Sequence, residues 1–368
     1  MKLRYKITGA ILAIVAVAVV SLCLVISHDS PCGTAPPLAA DARPMKAIIY
    51  RCYGSPEVLR LEDVAKPTPG DKDVLVKVHA ASLNPYDWHF MRGSPYVMRM
   101  DSGIGAPKDT RFGVDYSGTV EAVGRSVTRY HVGDEVFGAR SGALSEYLIV
   151  PEDRVIVPKP AGISFDQAAS IPMASMTALQ ALRENGHVKA GQKVLINGAS
   201  GGVGTFAVQL ARVMGADVTA VASTRNLEMV RGLGANRVID YTKEDFTEGT
   251  QKYDLILDIA GTHSLSDYRR VLTHEGTLVI VGATDRGNWF GPLSEPVKAL
   301  VMSPFVSQNM AMMLATYSQK DLAYVADLMS TGKITAVIDR RYKLSEVPAA
   351  IAYLEEGHAR GKVIINVE

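Results

Sequence analysis

Val194-Leu-Ile-Asn-Gly-Ala-Ser-Gly-Gly-Val-Gly-Thr-Phe-Ala-Val-Gln-Leu-Ala-Arg212 decides how this chain folds. A short apolar strand, Lys193 to Asn197, runs into a glycine-rich turn that opens an apolar-periodic helix from Thr205 to Met214, and Ala216 to Ala222 reads as the next strand. Together they make one βαβ unit. Gly201, Gly202 and Gly204 strip side chains from the turn, so backbone N–H groups along Ser200, Gly201, Gly202, Val203 and Gly204 can approach a phosphate that the positive end of the helix dipole stabilises. In this context the motif predicts a dinucleotide pyrophosphate at the turn. The plainer alternative is a glycine-rich loop with no ligand.

At 368 residues the chain exceeds the size at which one hydrophobic core stops growing, which predicts two domains. Basic and acidic residues number 39 and 38, a formal net charge of +1, and no basic run with interleaved aromatics occurs in the body. A nucleic-acid partner is therefore disfavoured. Cys23, Cys32 and Cys52 form neither a Cys-x-x-Cys pair nor a metal-ligand array, so neither a disulfide framework nor a cysteine nucleophile is expected.

Lys2, Arg4 and Lys6 precede an uncharged run from Ile7 to Ile26, about 30 Å long as a helix and thus as long as a bilayer core is thick. An uncleaved transmembrane anchor is favoured over a removed signal, because the best small-residue cleavage pattern, Ala40-Asp-Ala42, lies far beyond the run. A third possibility is that the true start is Met45. The charge bias favours an exported body and the cofactor supply a cytoplasmic one, so a membrane-anchored protein facing the cytoplasm is expected against that bias. Ser27 to Pro44, with four prolines, reads as a tether.

From Met45 onward, short β-like runs at Lys46–Tyr50, Asp73–Ala80, Asp115–Val123, Asp134–Gly138 and Ser145–Val150 predict a β-rich unit. After Pro172, helix and strand alternate up to Gly282, which predicts a doubly wound parallel sheet. The strand-like ends Ile338–Tyr342 and Gly361–Val367 are expected to return to the first unit. The expected division is 1–27 anchor or signal, 28–44 linker, 45–171 β-rich domain, 172–315 dinucleotide-binding domain and 316–368 C-terminal return.

Met45-Lys-Ala-Ile-Ile-Tyr with Tyr53-Gly-Ser-Pro-Glu-Val-Leu59, Ser82-Leu-Asn-Pro-Tyr-Asp87, Gly113-Val-Asp-Tyr-Ser-Gly-Thr-Val-Glu-Ala-Val-Gly124, Val132-Gly-Asp-Glu-Val-Phe137 and the turn at 197–204 together resemble the medium-chain dehydrogenase/reductase superfamily. The nearest resemblance is to its zinc-free, quinone oxidoreductase-like (zeta-crystallin-type) branch, over Met45 to Glu368. It implies a GroES-like β domain packed on a Rossmann domain, a cofactor in the cleft between them, and a homodimer. Zinc-containing relatives have a cysteine ligand where this chain has Asn84 and a histidine ligand where it has Val114. Neither side chain ligates zinc, and the four-cysteine structural lobe is missing, so no zinc is expected.

An NAD site places a carboxylate on the ribose about twenty residues after the glycine turn. Ala222-Ser-Thr-Arg-Asn226 stands there instead, and Ser223, Thr224 and Arg225 can hydrogen-bond a 2′-phosphate, which favours NADPH. The resemblance implies further cofactor contacts at Tyr241, Thr177, Gly282 and Lys362. Their plain alternatives are a strand-end tyrosine, a helix residue, a turn glycine and a solvated charge. On the substrate side it places Tyr53, Asn84 and Asp87 in the nicotinamide pocket: Asn84 as donor to a carbonyl, Tyr53 as proton donor, and Asp87 orienting either or merely capping a turn.

The expected activity is NADPH-dependent hydride transfer to a lipophilic quinone or to the C=C bond of an α,β-unsaturated carbonyl. Met302, Phe305, Met310, Met312 and Met313 are candidates for an acceptor wall or for core. The alternatives are an alcohol/aldehyde oxidoreductase and a non-catalytic membrane-tethered NADPH-binding sensor.

Overall fold

A computed structural model describes residues 2–282, 287–289, 298 and 307–367, with side chains from residue 12 onward. The chain opens with α1 (Lys2–Ser27). Among the described residues no helix is long and apolar enough to cross a membrane. This corrects the expected transmembrane anchor at residues 7–26 and the membrane-bound localisation built on it. The last turn is docked on the body: Ile26 is buried, and its carbonyl accepts from Arg99 Nη1 at 3.2 Å.

A second expectation also fails. Cys32 and Cys52 form a disulfide, their Cα atoms 4.6 Å apart, so the tether is fastened to the first domain. A single pair twenty residues apart has no spacing pattern that sequence reading could have used.

The first domain is built on β1 (Pro44–Ile49), which pairs antiparallel with β2 (Arg60–Ala65), and on β3 (Asp73–Leu83). Helix α2 (Pro85–Arg92) and the short α3 (Arg99–Ser102) lead to β4 (Asp115–Val123), β5 (Glu135–Ala139), β6 (Tyr147–Pro151) and β7 (Ile156–Pro158). Alternating burial on these strands encloses a core of Ile48, Val76, Leu83, Tyr116, Leu144 and Val363.

Helices α4 (Phe165–Ala169) and α5 (Pro172–Gln180) enter the second domain, and α5 ends in a π-helical turn over residues 181–185. Next come β8 (Lys193–Asn197), α6 (Gly202–Val213), β9 (Asp217–Ala222), α7 (Leu227–Gly232), β10 (Arg237–Asp240), β11 (Tyr253–Asp258), α8 (Leu265–Val271), β12 (Leu272–Ile280) and β13 (Asn309–Met312). The six strands lie all parallel in the order β10-β9-β8-β11-β12-β13. This is the dinucleotide-binding order, whose winding reverses between β8 and β11.

Helix α9 (Gln319–Ser330) packs against α5 and β7. Then β14 (Ile338–Lys343), α10 (Val347–Glu355) and β15 (Lys362–Asn366) carry the chain back, with β15 antiparallel to β3 in the seven-stranded sheet of the first domain. One apolar cluster joins Phe137, Ala139 and Val157 of the first domain to α5, α6 and the parallel sheet, so the two domains share a core.

Candidate active site

Sequence dictates the turn after β8 directly. Gly198 has φ 87°, a left-handed conformation that glycine adopts without strain. A Cβ at Gly204 would stand 2.2 Å from the Gly198 carbonyl oxygen, so the helix can approach the turn only because that side chain is absent. At Gly201 the nearest atom to such a Cβ is 3.7 Å away, so that side of the turn is open. Gly201 caps α6 with no side chain, which leaves the first-turn amides to a ligand. Beside them, at the winding reversal, Asn197 Nδ2 donates to Asp258 Oδ1 at 3.0 Å. Gly282 sits on the same edge: its N–H donates to the Asp258 carbonyl at 3.2 Å, and a Cβ there would meet the Ile259 oxygen at 2.3 Å.

The returning C-terminal strand meets this turn. Gly361 N–H donates to the Ser200 carbonyl at 2.9 Å, and Gly361 pairs with Gly201. Gly361 has φ 82°, with the Val337 oxygen 2.3 Å from where a Cβ would stand, so only glycine fits. The next residue, Lys362, lays its stem along the turn, with Cδ 3.1 Å from a Cβ built at Gly202. It is 2% exposed, so the solvated-charge alternative fails. Its ammonium donates to the Leu83 carbonyl at 3.0 Å, to Asn84 Oδ1 at 2.5 Å and to Asp115 Oδ2 at 3.4 Å.

Asn84 and Asp87 therefore lie in the same buried cluster as the phosphate-type cradle. Asn84 donates from Nδ2 to Asp115 Oδ2 at 2.9 Å, and its backbone N–H donates to Asp87 Oδ2 at 2.7 Å. Burial pushes the Asp87 carboxyl up to about 7, with the nearby Asp115 charge adding to the effect and Lys362 opposing it. Burial likewise raises Asp115 and lowers Lys362, while each holds the other charged. Sequence reading missed Asp115, whose one signal was a carboxylate at the head of a strand that is buried over its first four residues. Thr177 lies on α5 with Oγ1 donating to the Met173 carbonyl at 2.7 Å, and the Met173 N–H donates to Asp115 Oδ1 at 3.1 Å.

Tyr53 stands apart from this cluster. Its hydroxyl donates to the Gly103 carbonyl at 2.7 Å and lies 3.0 Å from Ser102 Oγ, and its ring stacks under the buried Arg99 guanidinium at 4.5 Å. Ser223, Thr224, Arg225 and Tyr241 gather at the C-terminal ends of β9 and β10. Arg225 Nη2 donates to the His358 carbonyl at 2.6 Å, Ser223 Oγ accepts from Asn226 Nδ2 at 3.1 Å, and Tyr241 is exposed. A carboxylate does approach this corner, from β10 rather than from β9. Asp240 Oδ2 accepts from Thr224 Oγ1 at 2.6 Å, and hydrogen bonds from Thr224 and Thr242 hold the acid down to about 2. Met302 and Phe305 lie outside the described residues, Met313 is core, and Met310 and Met312 are on β13.

The residues present do not fit zinc: Asn84 and Val114 occupy the two ligand positions, and among the described residues no group of three His, Cys, Asp or Glu side chains could hold a metal. They do fit a dinucleotide, since the open, side-chain-free turn and uncapped helix end supply the donors that a pyrophosphate requires.

Residues 70–161 match the alcohol dehydrogenase GroES-like domain, and residues 233–365 match the family described as zinc-binding dehydrogenase. The chloroplast envelope quinone oxidoreductase homolog of Arabidopsis thaliana is 32% identical over 338 residues, covering 88% of this chain and 98% of that protein. The NADPH-dependent alkenal/one oxidoreductase of the same plant is 34% identical over 349 residues, covering 89% and 82%. The solved quinone oxidoreductase from Coxiella burnetii is 33% identical with a TM-score of 0.77, covering 89% of this chain and all of that one. With this fold, this cradle and these relatives, the chain belongs to the medium-chain dehydrogenase/reductase superfamily, in its quinone oxidoreductase-like branch, and is a nicotinamide-dependent oxidoreductase.

Proposed function

We propose that the protein reduces quinones or the C=C bond of α,β-unsaturated carbonyls with NADPH, without a metal. The observation that carries this reading is that the glycine turn and the buried Asn84–Asp87–Lys362 cluster touch each other through Gly361. A reduced nicotinamide, when bound, supplies a hydride from ring C4. The glycine-turn amides would hold the pyrophosphate, and Lys362, Thr177 and Gly282 would border the nicotinamide half. All three ammonium protons of Lys362 are taken by protein oxygens, so it contributes positive charge and packing rather than a donor to the ligand.

Hydride arrival moves the acceptor's π pair onto oxygen. Asn84 retains one Nδ2 hydrogen to meet that oxygen, and the field of Lys362 favours its negative charge. Asp87, protonated in half the molecules at about pH 7 and increasingly so below it, can deliver the proton that completes the reduction. Tyr53 would shape the pocket wall beside Arg99 rather than donate a proton, because its hydroxyl is already engaged.

Arg225, with no carboxylate at the end of β9, supports NADPH. Asp240 beside Thr224 favours NADH as a second reading, because a 2′-phosphate there meets a fixed negative charge. The ratio of kcat/KM for the two coenzymes decides between them. A homodimer is part of the same reading, and light scattering on the purified chain tests it. Oxidation of NADPH with 1,4-naphthoquinone and with an alkenal tests the activity. Turnover with either supports it, and cofactor binding with no turnover on a broad panel overturns it in favour of a sensor.

A further inference from the structure

Asn84, Asp87 and Lys362 all answer to one group, a carboxylate in the 113–124 stretch to which the resemblance assigned no role. Asp115 is fully buried, and donors from four elements converge on it. Oδ2 accepts from Ser82 Oγ of β3 at 3.1 Å, from Asn84 Nδ2 at the head of α2 at 2.9 Å, and from Lys362 Nζ of β15 at 3.4 Å. Oδ1 accepts from the Met173 N–H of α5 at 3.1 Å. Every neighbour at hydrogen-bond distance is a donor, as a buried carboxylate requires.

Two consequences follow for the pocket. An asparagine amide can face either way, but here Nδ2 must point at Asp115, which turns Oδ1 toward the Lys362 ammonium. One N–H of Asn84 is then left over, and its direction is fixed by a residue thirty-one positions away in sequence. The negative charge of Asp115 also keeps the buried Lys362 protonated against the burial that pushes it toward neutrality.

We propose that Asp115 is a positioning residue for hydride transfer: it locks the Asn84 amide so that the uncommitted N–H meets the acceptor oxygen that becomes negative. The inference rests on the quinone or enone reading given above. Asp115 itself exchanges no proton and makes no bond to the acceptor.

The test is a double-mutant cycle on D115N and N84A with NADPH and 1,4-naphthoquinone. Both Asp115 oxygens accept, so an Asn there must set its NH2 group against a donor and the local arrangement gives way. Expected is a roughly tenfold to hundredfold loss of kcat in D115N, at or below the ~10²–10³ cost of deleting an oxyanion donor, with the KM for NADPH within about twofold of wild type.

In the N84A background the D115N change should cost less than about threefold, because it acts through a side chain no longer present. Losses that multiply overturn the proposal. The pH profile supplies a readout that a purely structural role does not move. Asp87 is faced by Asp115, Lys362, Tyr50, Tyr86 and Tyr317, and removing the Asp115 charge takes away both the repulsion that helps raise Asp87 and the attraction that keeps Lys362 protonated, so the alkaline fall in rate moves in D115N. An unmoved profile counts against the proposal. If D115N does not fold, D115E keeps the charge but displaces the carboxylate that Asn84 Nδ2 meets, and runs the same cycle under the same criterion. Absence of turnover in the wild type sinks the functional reading and this inference with it, whereas wild-type turnover with multiplying losses sinks only the role of Asp115.

Discussion

Gly204 and Gly201 carry opposite roles in one turn, and substituting each by alanine separates them. A methyl at Gly204 would stand 2.2 Å from the Gly198 oxygen and 2.7 Å from both Ala199 Cα and its carbonyl carbon. That is about 1 Å inside an ordinary contact. All three of these atoms are backbone, so no side chain can swing aside, and the start of α6 must lift off the end of β8. Overpacking of this kind costs up to about 3 kcal/mol. The better helix propensity of alanine returns at most about 1 kcal/mol, leaving a net loss of about 2 kcal/mol, or about 2–3 °C in Tm for a chain of this length. Displaced amides also lose charge-assisted bonds to the pyrophosphate, worth about 1.5–3 kcal/mol each, so NADPH binding weakens at least about tenfold.

At Gly201 a methyl has 3.7 Å of clearance, and the backbone, with φ −81° and ψ −178°, suits any residue. G201A should therefore melt at or slightly above wild type, while its methyl occupies the open cradle and weakens the cofactor alone. Thermal melts with and without NADPH, alongside calorimetric titration, read both quantities. If G204A matched wild type in Tm and affinity, or if G201A were the destabilised variant, the assignment of packing to one glycine and ligand approach to the other would be wrong.

Arg225→Ala removes the cation nearest the proposed 2′-phosphate. It should lower kcat/KM for NADPH by about tenfold to a hundredfold while changing NADH less than twofold, and equal losses for both coenzymes would remove Arg225 from phosphate recognition. The Cys32–Cys52 bond closes a twenty-residue loop, so in the chain-entropy account its reduction, or the C32A/C52A variant, costs about 3 kcal/mol. A denaturant midpoint unchanged by dithiothreitol would place the tether outside the cooperative unit. Burial raises Asp87 from 3.8 to about 7, so the native state holds a proton that the unfolded chain has released across that window. Stability is then greatest at the acid side of the window and is lost as pH rises through about 7. D87N keeps an acceptor for the Asn84 N–H but cannot ionise, so its Tm should be flatter from pH 5 to 8 than that of wild type; a parallel slope in both would assign the dependence to another group.

The parts of this molecule that were legible in sequence are those whose physics is local. Strand, glycine turn and helix period of the 194–212 stretch lie in one window, and the alternation that follows implies a parallel sheet, because each crossover helix returns the chain to the same edge. The Asn84–Asp115–Lys362 cluster was only half visible. Its members are separated by 31 and 247 positions, and nothing in the local pattern marks Asp115 as the hub or shows that Lys362 spends all its protons internally. The engagement of the Tyr53 hydroxyl was invisible for the same reason: its partner carbonyl at Gly103 and the Arg99 guanidinium over its ring come from α3 and its cap, which sequence leaves unplaced. The N-terminal run was read from its length, apolar composition and flanking charges, none of which registers that Ile26 and Asp29 are gripped by a buried arginine.

The cofactor cradle and the reacting cluster have separate origins in the chain, and only the C-terminal strand joins them. The turn at 198–204 can form with β8 and α6 alone, whereas Asn84 and Asp115 belong to a sheet completed some 280 residues later, when β15 pairs with β3. Gly361 and Lys362 belong to both: one bonds the turn through its backbone, and the other reaches Asn84 and Asp115 through its side chain. A ligand that binds the turn and presses on Lys362 therefore favours the docked state of β15, and by linkage the docking of β15 must favour the ligand equally. Substitutions at Val337 or Gly361 are therefore expected to weaken cofactor affinity through the strand that closes the site, and an affinity unchanged in G361A would refute that coupling.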